Sequence, residues 1–346
     1  MDIDGADVVI IGGGAIGLAS AYFTLKKGKD VILVDKGVPG WEASGRNGGW
    51  AAGYGPGEGS SRLLKEGIRI WQTLDEELGA PTEFVLGGSL SIASTEEEVW
   101  LLGKEIEHSR KAGVDVRKVD LREMQEILPG LNDRALVGSF HPASGQANPQ
   151  LTCQAWVWAI ERLGGKIYQN VEVTGIGIQG GRVTGVETAA GRIRADQVVN
   201  AAGPWCNVIN GMVDQSLPTQ PDLIEMLCTL PVPPLTKATF LGNDLYCRQA
   251  VQGHLHFGGF QSLDIDVRRT SEKPTSSLIT GDIAKRFVEL VPSASNAQVL
   301  RTWAGIIDMS PDDEPMVGKM SYPDGYYVNV GFGGLGFSWS PIAGKI

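Results

Sequence analysis

Residues 7–35 read DVVIIGGGAIGLASAYFTLKKGKDVILVD, and this stretch decides the fold. The apolar run at 7–11 suits a buried parallel strand, and the helical stretch at 18–27 stops at Gly28. A second apolar strand at 31–34 ends in Asp35. Between the first strand and the helix, Gly12, Gly14 and Gly17 spell G-x-G-x-x-G, with Ala15 and Ile16 in the spacing positions. The first glycine permits a tight turn, the second lets a pyrophosphate approach the backbone, and the third lets helix and strand pack closely. The helix N-terminus offers free N–H groups and positive dipole to that pyrophosphate. Asp35 stands near the spacing of about 20 residues at which a carboxylate meets ribose hydroxyls, and an acid there disfavours a 2′-phosphate. The pattern predicts dinucleotide binding and leaves FAD or NAD open.

Composition bounds the rest. A chain of 346 residues is long enough for about two domains, and 42% hydrophobic with 20% charged residues describes an ordinary globular protein. The net charge of −10 argues against nucleic-acid partners, which need clustered Lys and Arg to displace counterions. No stretch approaches the roughly 20 apolar residues of a membrane helix, and the N-terminus runs straight into the glycine turn, so the expected location is the cytoplasm. Cys153, Cys206, Cys228 and Cys247 are widely spaced, with no neighbouring His at ligand spacing; they read as buried thiols, and no metal site is expected. Glycine, 47 of 346 residues, is about twice the usual frequency; its clusters at 12–17, 45–59 and 331–336 mark where chemistry is to be sought.

Further elements follow from local signals. Helices are predicted at 60–78 before Gly79, at 95–112 behind the capping box Thr95/Glu98, at 151–163 behind Asn148-Pro149, and near 281–290. Residues 166–200 alternate and turn at Gly180-Gly181 and Ala190-Gly191, which predicts a small antiparallel sheet. The proline-punctuated stretch 218–234 reads as a crossing between domains, and 244–250 with 254–260 reads as a hairpin.

These motifs, taken in order, resemble the D-amino-acid oxidase family of flavoproteins, most nearly its sarcosine oxidase β-subunit-like and amino-acid, hydroxyproline and opine dehydrogenase branch. The matching stretches are VVIIGGGAIGLASAY, VILVDKG, ASGRNGG, GRVTGVETAAGRIRADQVVNAAGPW, RTWAGIIDMSPDDEPMVG and GFGGLGFSWSP, spread over nearly the whole chain. The resemblance implies an α/β fold: a glutathione-reductase-type, FAD-binding Rossmann domain (1–82, 141–215 and 296–346) and an α+β substrate domain on a mixed or antiparallel sheet (83–140 and 216–295). It implies FAD as cofactor, and chemistry that moves hydride from a C–H beside nitrogen to flavin N5, leaving an imine for water to hydrolyse. Gly12, Gly14, Ala15, Ile16, Gly17, Asp35 and Lys36 would hold the ADP half. The loop Ser44, Gly45, Arg46, Asn47, Gly48 and Gly49 would pass along pyrophosphate and flavin. Val173 would meet adenine, Ala202 and Gly203 would close over the cofactor, and Gly305, Gly333, Gly334, Leu335, Gly336 and Phe337 would border the ring. A helix starting near Ser340 would add its dipole, although the chain's last helix reads as shorter than is usual in the family.

Departures from the family pattern carry their own implications. The stretch 303–311 holds no cysteine, so FAD is expected to bind noncovalently. The carboxylate-binding arginine of some members is replaced where this chain reads Ala304-Gly305-Ile306-Ile307, and another is absent from Gly48-Gly49-Trp50-Ala51-Ala52. A substrate carboxylate must therefore find a cation elsewhere; the resemblance implies that the hairpin strand holding Arg248 faces substrate, which makes Arg248 the candidate, with Tyr246 on the same side by alternation and matching a substrate-contacting tyrosine of the family. Arg248 is otherwise a surface arginine and Tyr246 a half-buried aromatic. His256 stands where some oxidases carry a lysine that helps oxygen react, which favours a dehydrogenase. Tyr54 is placed to close the substrate pocket or to be a plain loop aromatic. Arg46 either pairs with phosphate or braces its loop. The expected substrate is a small-molecule amino acid or amine, and the electron acceptor is oxygen, a quinone or dye, or a partner subunit of an oligomer. The alternatives are a catalytic β-like subunit of an opine or hydroxyproline dehydrogenase and, more remotely, a NAD-dependent dehydrogenase or a structural flavin-binding subunit.

Overall fold

In the computed structural model, which describes residues 2–259, 265–267 and 273–346, the chain is built on two eight-stranded sheets and one three-stranded sheet. The first sheet has a parallel heart in the order Lys166–Tyr168, Val31–Val34, Asp2–Ile11, Gly191–Asn200, Tyr326–Val330. Val8 to Ile11 and Val31 to Val34 are buried without alternation, as strands covered on both faces must be. The first strand starts earlier than its apolar run, because residues from Asp2 to Ala6 also pair with Gly191–Asn200.

Helix Ala15–Lys26 packs between helices Gly336–Lys345 and Pro149–Arg162. Tyr22, Phe23 and Trp156 meet edge-on there, with ring centroids 5.2–5.9 Å apart. Gly17 holds this helix down on the first strand: a Cβ on it would lie 1.9 Å from the Gly12 carbonyl oxygen. Gly12 itself sits at φ +106° against the Ala201 carbonyl, a conformation and a gap that only glycine fits. The antiparallel meander Val173–Gln179, Arg182–Thr188 and Gly191–Asn200 turns at Gly180 and Gly181, both left-handed. The capping box at Thr95 and Glu98 starts helix Glu96–Lys111, and the Asn148 side chain caps Pro149–Arg162.

The second sheet runs in the order Val299–Met309, Gln220–Pro231, His254–Gly259, Leu245–Gln249, Thr239–Gly242, Ser89–Ala93, Val137–His141, Arg117–Val119. Only the contact of Thr239–Gly242 with Ser89–Ala93 is parallel, so the sheet is mixed. Residues 218–234, read as a crossing between domains, are for the most part the long strand Gln220–Pro231, with Pro221 and Pro231 near its ends. Val299–Met309 pairs along that strand, so the segment assigned to the dinucleotide-binding part contributes an edge to the second sheet. The stretch 60–78 is two helices, Glu58–Trp71 and Leu74–Leu78, the second closed by left-handed Gly79. Helix Ser277–Leu290 and hairpin strands Leu245–Gln249 and His254–Gly259 lie where sequence signals put them, while Phe260 lies outside the described residues. The terminal helix begins at Gly336, not near Ser340, because a 3-10 turn at Gly333–Leu335 feeds directly into it. All four cysteines are free and buried, and no helix among the described residues is long and apolar enough to cross a membrane.

Candidate active site

The carboxyl ends of the first two strands and of Gly191–Asn200 open onto a cleft of about 1230 Å³ that is continuous with solvent. Its walls include Gly12, Gly14, Ile16, Asp35, Lys36, Ser44, Asn47, Val173, Ala202, Gly203, Gly333, Gly334, Gly336 and Phe337, brought together from six separate stretches. Asp35 is fixed by two backbone donors, Gly13 N–H at 2.6 Å and Gly37 N–H at 2.7 Å. The Ser44 hydroxyl accepts from Ala15 N–H at 2.8 Å, which puts a polar side chain at the start of the first helix. The Lys36 ammonium lies 3.7 Å from the centre of the Trp205 ring, and burial lowers its pKa.

At the far end, Asp308 is buried and accepts from Gly331 N–H at 2.6 Å; burial raises its carboxyl to about 6. Asn329, also in the wall, donates to Ser20 Oγ and the Ala343 carbonyl, while its Oδ1 is buried without a partner. Gly203 and Gly334 leave open space where a Cβ would project, so backbone is presented bare to whatever fills the cleft. A glycine cradle, a helix N-terminus, a fixed carboxylate and open glycines suit a dinucleotide.

Several residues expected in this group lie elsewhere. Ala15, Gly17, Gly45, Arg46, Gly48, Gly49, Gly305 and Leu335 do not line the cleft. The Ala15 amide is taken by Ser44. Arg46 is a brace: Nε donates to the Trp41 carbonyl and Nη1 to the Ala304 carbonyl, both at 3.0 Å, which ties the loop to strand Val299–Met309. Gly305 faces Arg46 Cβ, Gly45 packs on the Gly40 carbonyl, and Leu335 packs beside Leu64 and Trp339.

Residues 7–346 match the family described as DAO: FAD dependent oxidoreductase. The chain belongs to this family. It is an enzyme, an FAD-dependent oxidoreductase whose cofactor is FAD. Its sequence is 30% identical to sarcosine oxidase subunit beta of an Arthrobacter species, over 98% of this chain and 85% of the relative. It is 28% identical to glycine oxidase of Geobacillus kaustophilus, over 98% and 91% of the two chains. The fold superposes on L-proline dehydrogenase from P. horikoshii with a TM-score of 0.91 at 27% identity, covering 99% of this chain and 91% of that one.

A second, much smaller cavity begins one residue on: Asn47 lines the cleft of this oxidoreductase and Gly48 lines the cavity, with Trp50, Thr239, Leu241, Tyr246, Arg248 and His256 among its other walls. Tyr246 lays its ring on Gly48 and brings its hydroxyl 2.6 Å from Met226 Sδ. Arg248 is 6% exposed, so it is no surface arginine. Its Nη1 donates to Gln146 Oε1 at 3.1 Å, its Nε has no partner, and no carboxylate lies within ion-pair distance among the described residues. Burial lowers its pKa to about 10. His256 pairs with Arg248 across the hairpin, and burial, reinforced by the charge of Arg248, depresses its pKa to about 3.

Tyr54 lines neither cavity. It is buried, stacked 3.5 Å from His141, with its hydroxyl 3.2 Å from Ser91 Oγ, and is a core aromatic instead of a pocket closure. Sequence reasoning missed Trp50, Gln146, Trp205, Asp308 and Asn329. Trp50 and Trp205 fall inside motifs quoted for the family resemblance or its departures, yet nothing local marks their side chains as functional. Among the described residues, no group of three His, Cys, Asp or Glu could hold a metal ion.

Proposed function

We propose that this enzyme oxidises the C–N bond of a small amino acid or N-substituted amino acid, with the substrate carboxylate held by Arg248 and FAD bound noncovalently. The observation that carries the reading is a buried guanidinium whose one hydrogen-bond partner among the described residues is neutral, at a cavity bordering the cofactor cleft. An uncompensated buried charge costs several kcal/mol, and a ligand carboxylate offsets that cost. Bound FAD supplies a hydride acceptor for the substrate C–H beside nitrogen, leaving an imine that water hydrolyses.

The chain's own residues contribute position. Arg248 fixes the carboxylate end and Tyr246 walls the side toward Gly48. His256 is neutral at working pH, so it does not compete for the carboxylate. A neutral ring also supplies no charge to stabilise reduced oxygen, which favours a dehydrogenase over an oxidase. Arg248 is the one cation among the described residues lining the cavity, so the second carboxylate of an opine finds no partner there. The cysteine-free stretch 303–311 supports noncovalent FAD. Similarity to a protein named as a subunit beta supports a second reading, in which the electrons pass to partner subunits.

The test is anaerobic titration of the yellow holoprotein with L- and D-amino acids, N-methyl amino acids and opines, following flavin absorbance. Bleaching by a monocarboxylic amino acid is the expected result. Holoprotein that no amino acid in the panel bleaches would defeat the reading, and dye reduction compared with peroxide formation separates dehydrogenase from oxidase.

A further inference from the structure

We propose that the indole N–H of Trp50 is a second donor to the substrate carboxylate, acting beside Arg248; the inference rests on the reading of that cavity as the substrate site. Trp50 and Arg248 line the same small cavity. Trp50 Nε1 and Arg248 Nε are both buried, and neither has a hydrogen-bond partner. A buried donor left without a partner is costly, and two at one cavity are not explained by packing. A carboxylate has two oxygens and answers both. Among the described residues lining the cavity there is no Asp or Glu, so the protein offers no carboxylate of its own.

Both donors are held in place by the same neighbour. Trp50 pairs with Gln146 in the short strands Trp50–Ala51 and Gly145–Gln146. The side chain of Gln146 accepts from Arg248 Nη1 and donates to the Lys237 carbonyl, each at 3.1 Å. The Trp50 carbonyl accepts from Ser338 Oγ at 2.8 Å, and its indole meets Tyr54 edge-on at 5.8 Å. The indole therefore keeps a fixed aim while its N–H stays free. Trp71, Trp205 and Trp303 donate their indole N–H to backbone carbonyls, and Trp156, whose buried N–H also lacks a partner, lines neither cavity, so Trp50 differs in standing at the cavity wall.

The test uses the holoenzyme with Trp50→Phe, which keeps an aromatic wall and removes the N–H, and Arg248→Met in parallel. The probe is propionate, with propionamide as its neutral counterpart, titrated by perturbation of the flavin absorbance. In Trp50→Phe the propionate Kd rises about tenfold, the loss expected of one charge-assisted hydrogen bond, and the propionamide Kd stays within twofold. With an amino-acid substrate the same variant raises KM by that factor more than it lowers kcat, as for an interaction made equally in ground and transition states. An unchanged propionate Kd in Trp50→Phe, with binding lost in Arg248→Met, overturns the role of Trp50 and leaves the cavity reading intact. Binding unchanged in both variants removes the cavity reading as well. Should Trp50→Phe fail to fold, wild-type enzyme labelled with 15N at the indoles reads the same contact. One of the nine tryptophan N–H signals moving downfield with propionate and not with propionamide supports the proposal, and nine unmoved signals refute it.

Discussion

Replacing Gly334 by alanine separates the fold of the cleft from its use. Gly334 lines the cleft within the turn Gly333–Leu335, its φ lies outside the left-handed region, and a Cβ there meets nothing within 4 Å. The apoprotein therefore accommodates the methyl without strain, and the stiffer unfolded chain adds up to about 1 kcal/mol of stability. If this turn borders bound FAD, the same methyl stands between backbone and cofactor, and overpacking by one carbon costs about 1–3 kcal/mol, or about 5- to 150-fold in Kd. Gly17→Ala is the opposite case. Its Cβ would lie 1.9 Å from the Gly12 carbonyl oxygen, against about 3.5 Å for an ordinary contact, so helix Ala15–Lys26 must move off the first strand with or without cofactor. The assays are FAD titration of apoprotein by fluorescence quenching and apoprotein melting by calorimetry. Gly334→Ala should hold or slightly raise the apoprotein Tm and bind FAD at least fivefold more weakly, whereas Gly17→Ala should lower the apoprotein Tm by several degrees. Wild-type FAD affinity in Gly334→Ala would refute contact between this turn and the cofactor.

Gln146→Leu removes the acceptor that orients Arg248, and the KM for the amino-acid substrate should rise about tenfold while FAD affinity holds; steady-state kinetics beside FAD titration checks this. Tyr54→Phe should cost about 1 kcal/mol in urea unfolding and leave kcat/KM within twofold, because among the described residues its hydroxyl meets the buried Ser89 and Ser91 alone. Two buried groups give opposing pH slopes. Asp308, raised from 3.8 to about 6, is protonated more readily folded than unfolded, so its contribution to stability falls as pH rises from about 4 to about 6. His256, lowered from 6.5 to about 3, is protonated more readily unfolded, so its contribution grows over about pH 3 to 6.5. Each slope approaches about 1.4 kcal/mol per pH unit at most. His256→Asn should therefore be less sensitive than wild type to acid between pH 6 and 4, and Asp308→Asn more sensitive than wild type, in urea midpoints measured at both pH values.

The parts of the fold legible in the sequence are those written within a few turns of chain. Asn148 caps its own helix, Thr95 and Glu98 cap each other's backbone, and Gly180-Gly181 closes the hairpin beside it. These interactions act over a few residues, so residue type and spacing carry them. What failed was non-local. Residues 220–231 look interrupted by proline, yet they form a strand because Val299–Met309 and His254–Gly259 lie on either side to pair with it. Val299–Met309 joins the second sheet through that same pairing, across a distance in sequence that no local pattern records. The break between helices Glu58–Trp71 and Leu74–Leu78 carries no proline or glycine to announce it.

The candidate site divides along the same line. The dinucleotide cleft was legible because G-x-G-x-x-G and Asp35 sit in one βαβ unit, where order along the chain is nearly order in space. Arg248 was reachable only through the family resemblance, which implies that its hairpin strand faces substrate; strand alternation then put Tyr246 on the same side. Trp50 and Gln146 were not reachable, because their meaning exists only when strands around residues 50, 146 and 248 converge. The window holding Trp50 was even read as an absence, a place where an arginine was missing. As proposed above, a planar N–H donor there would answer part of the same electrostatic need without carrying charge. In the proposed site the neighbouring strand supplies the cation and Gln146 ties to both residues, so the arginine absent from 48–52 and the arginine buried at 248 would meet one electrostatic need from two strands.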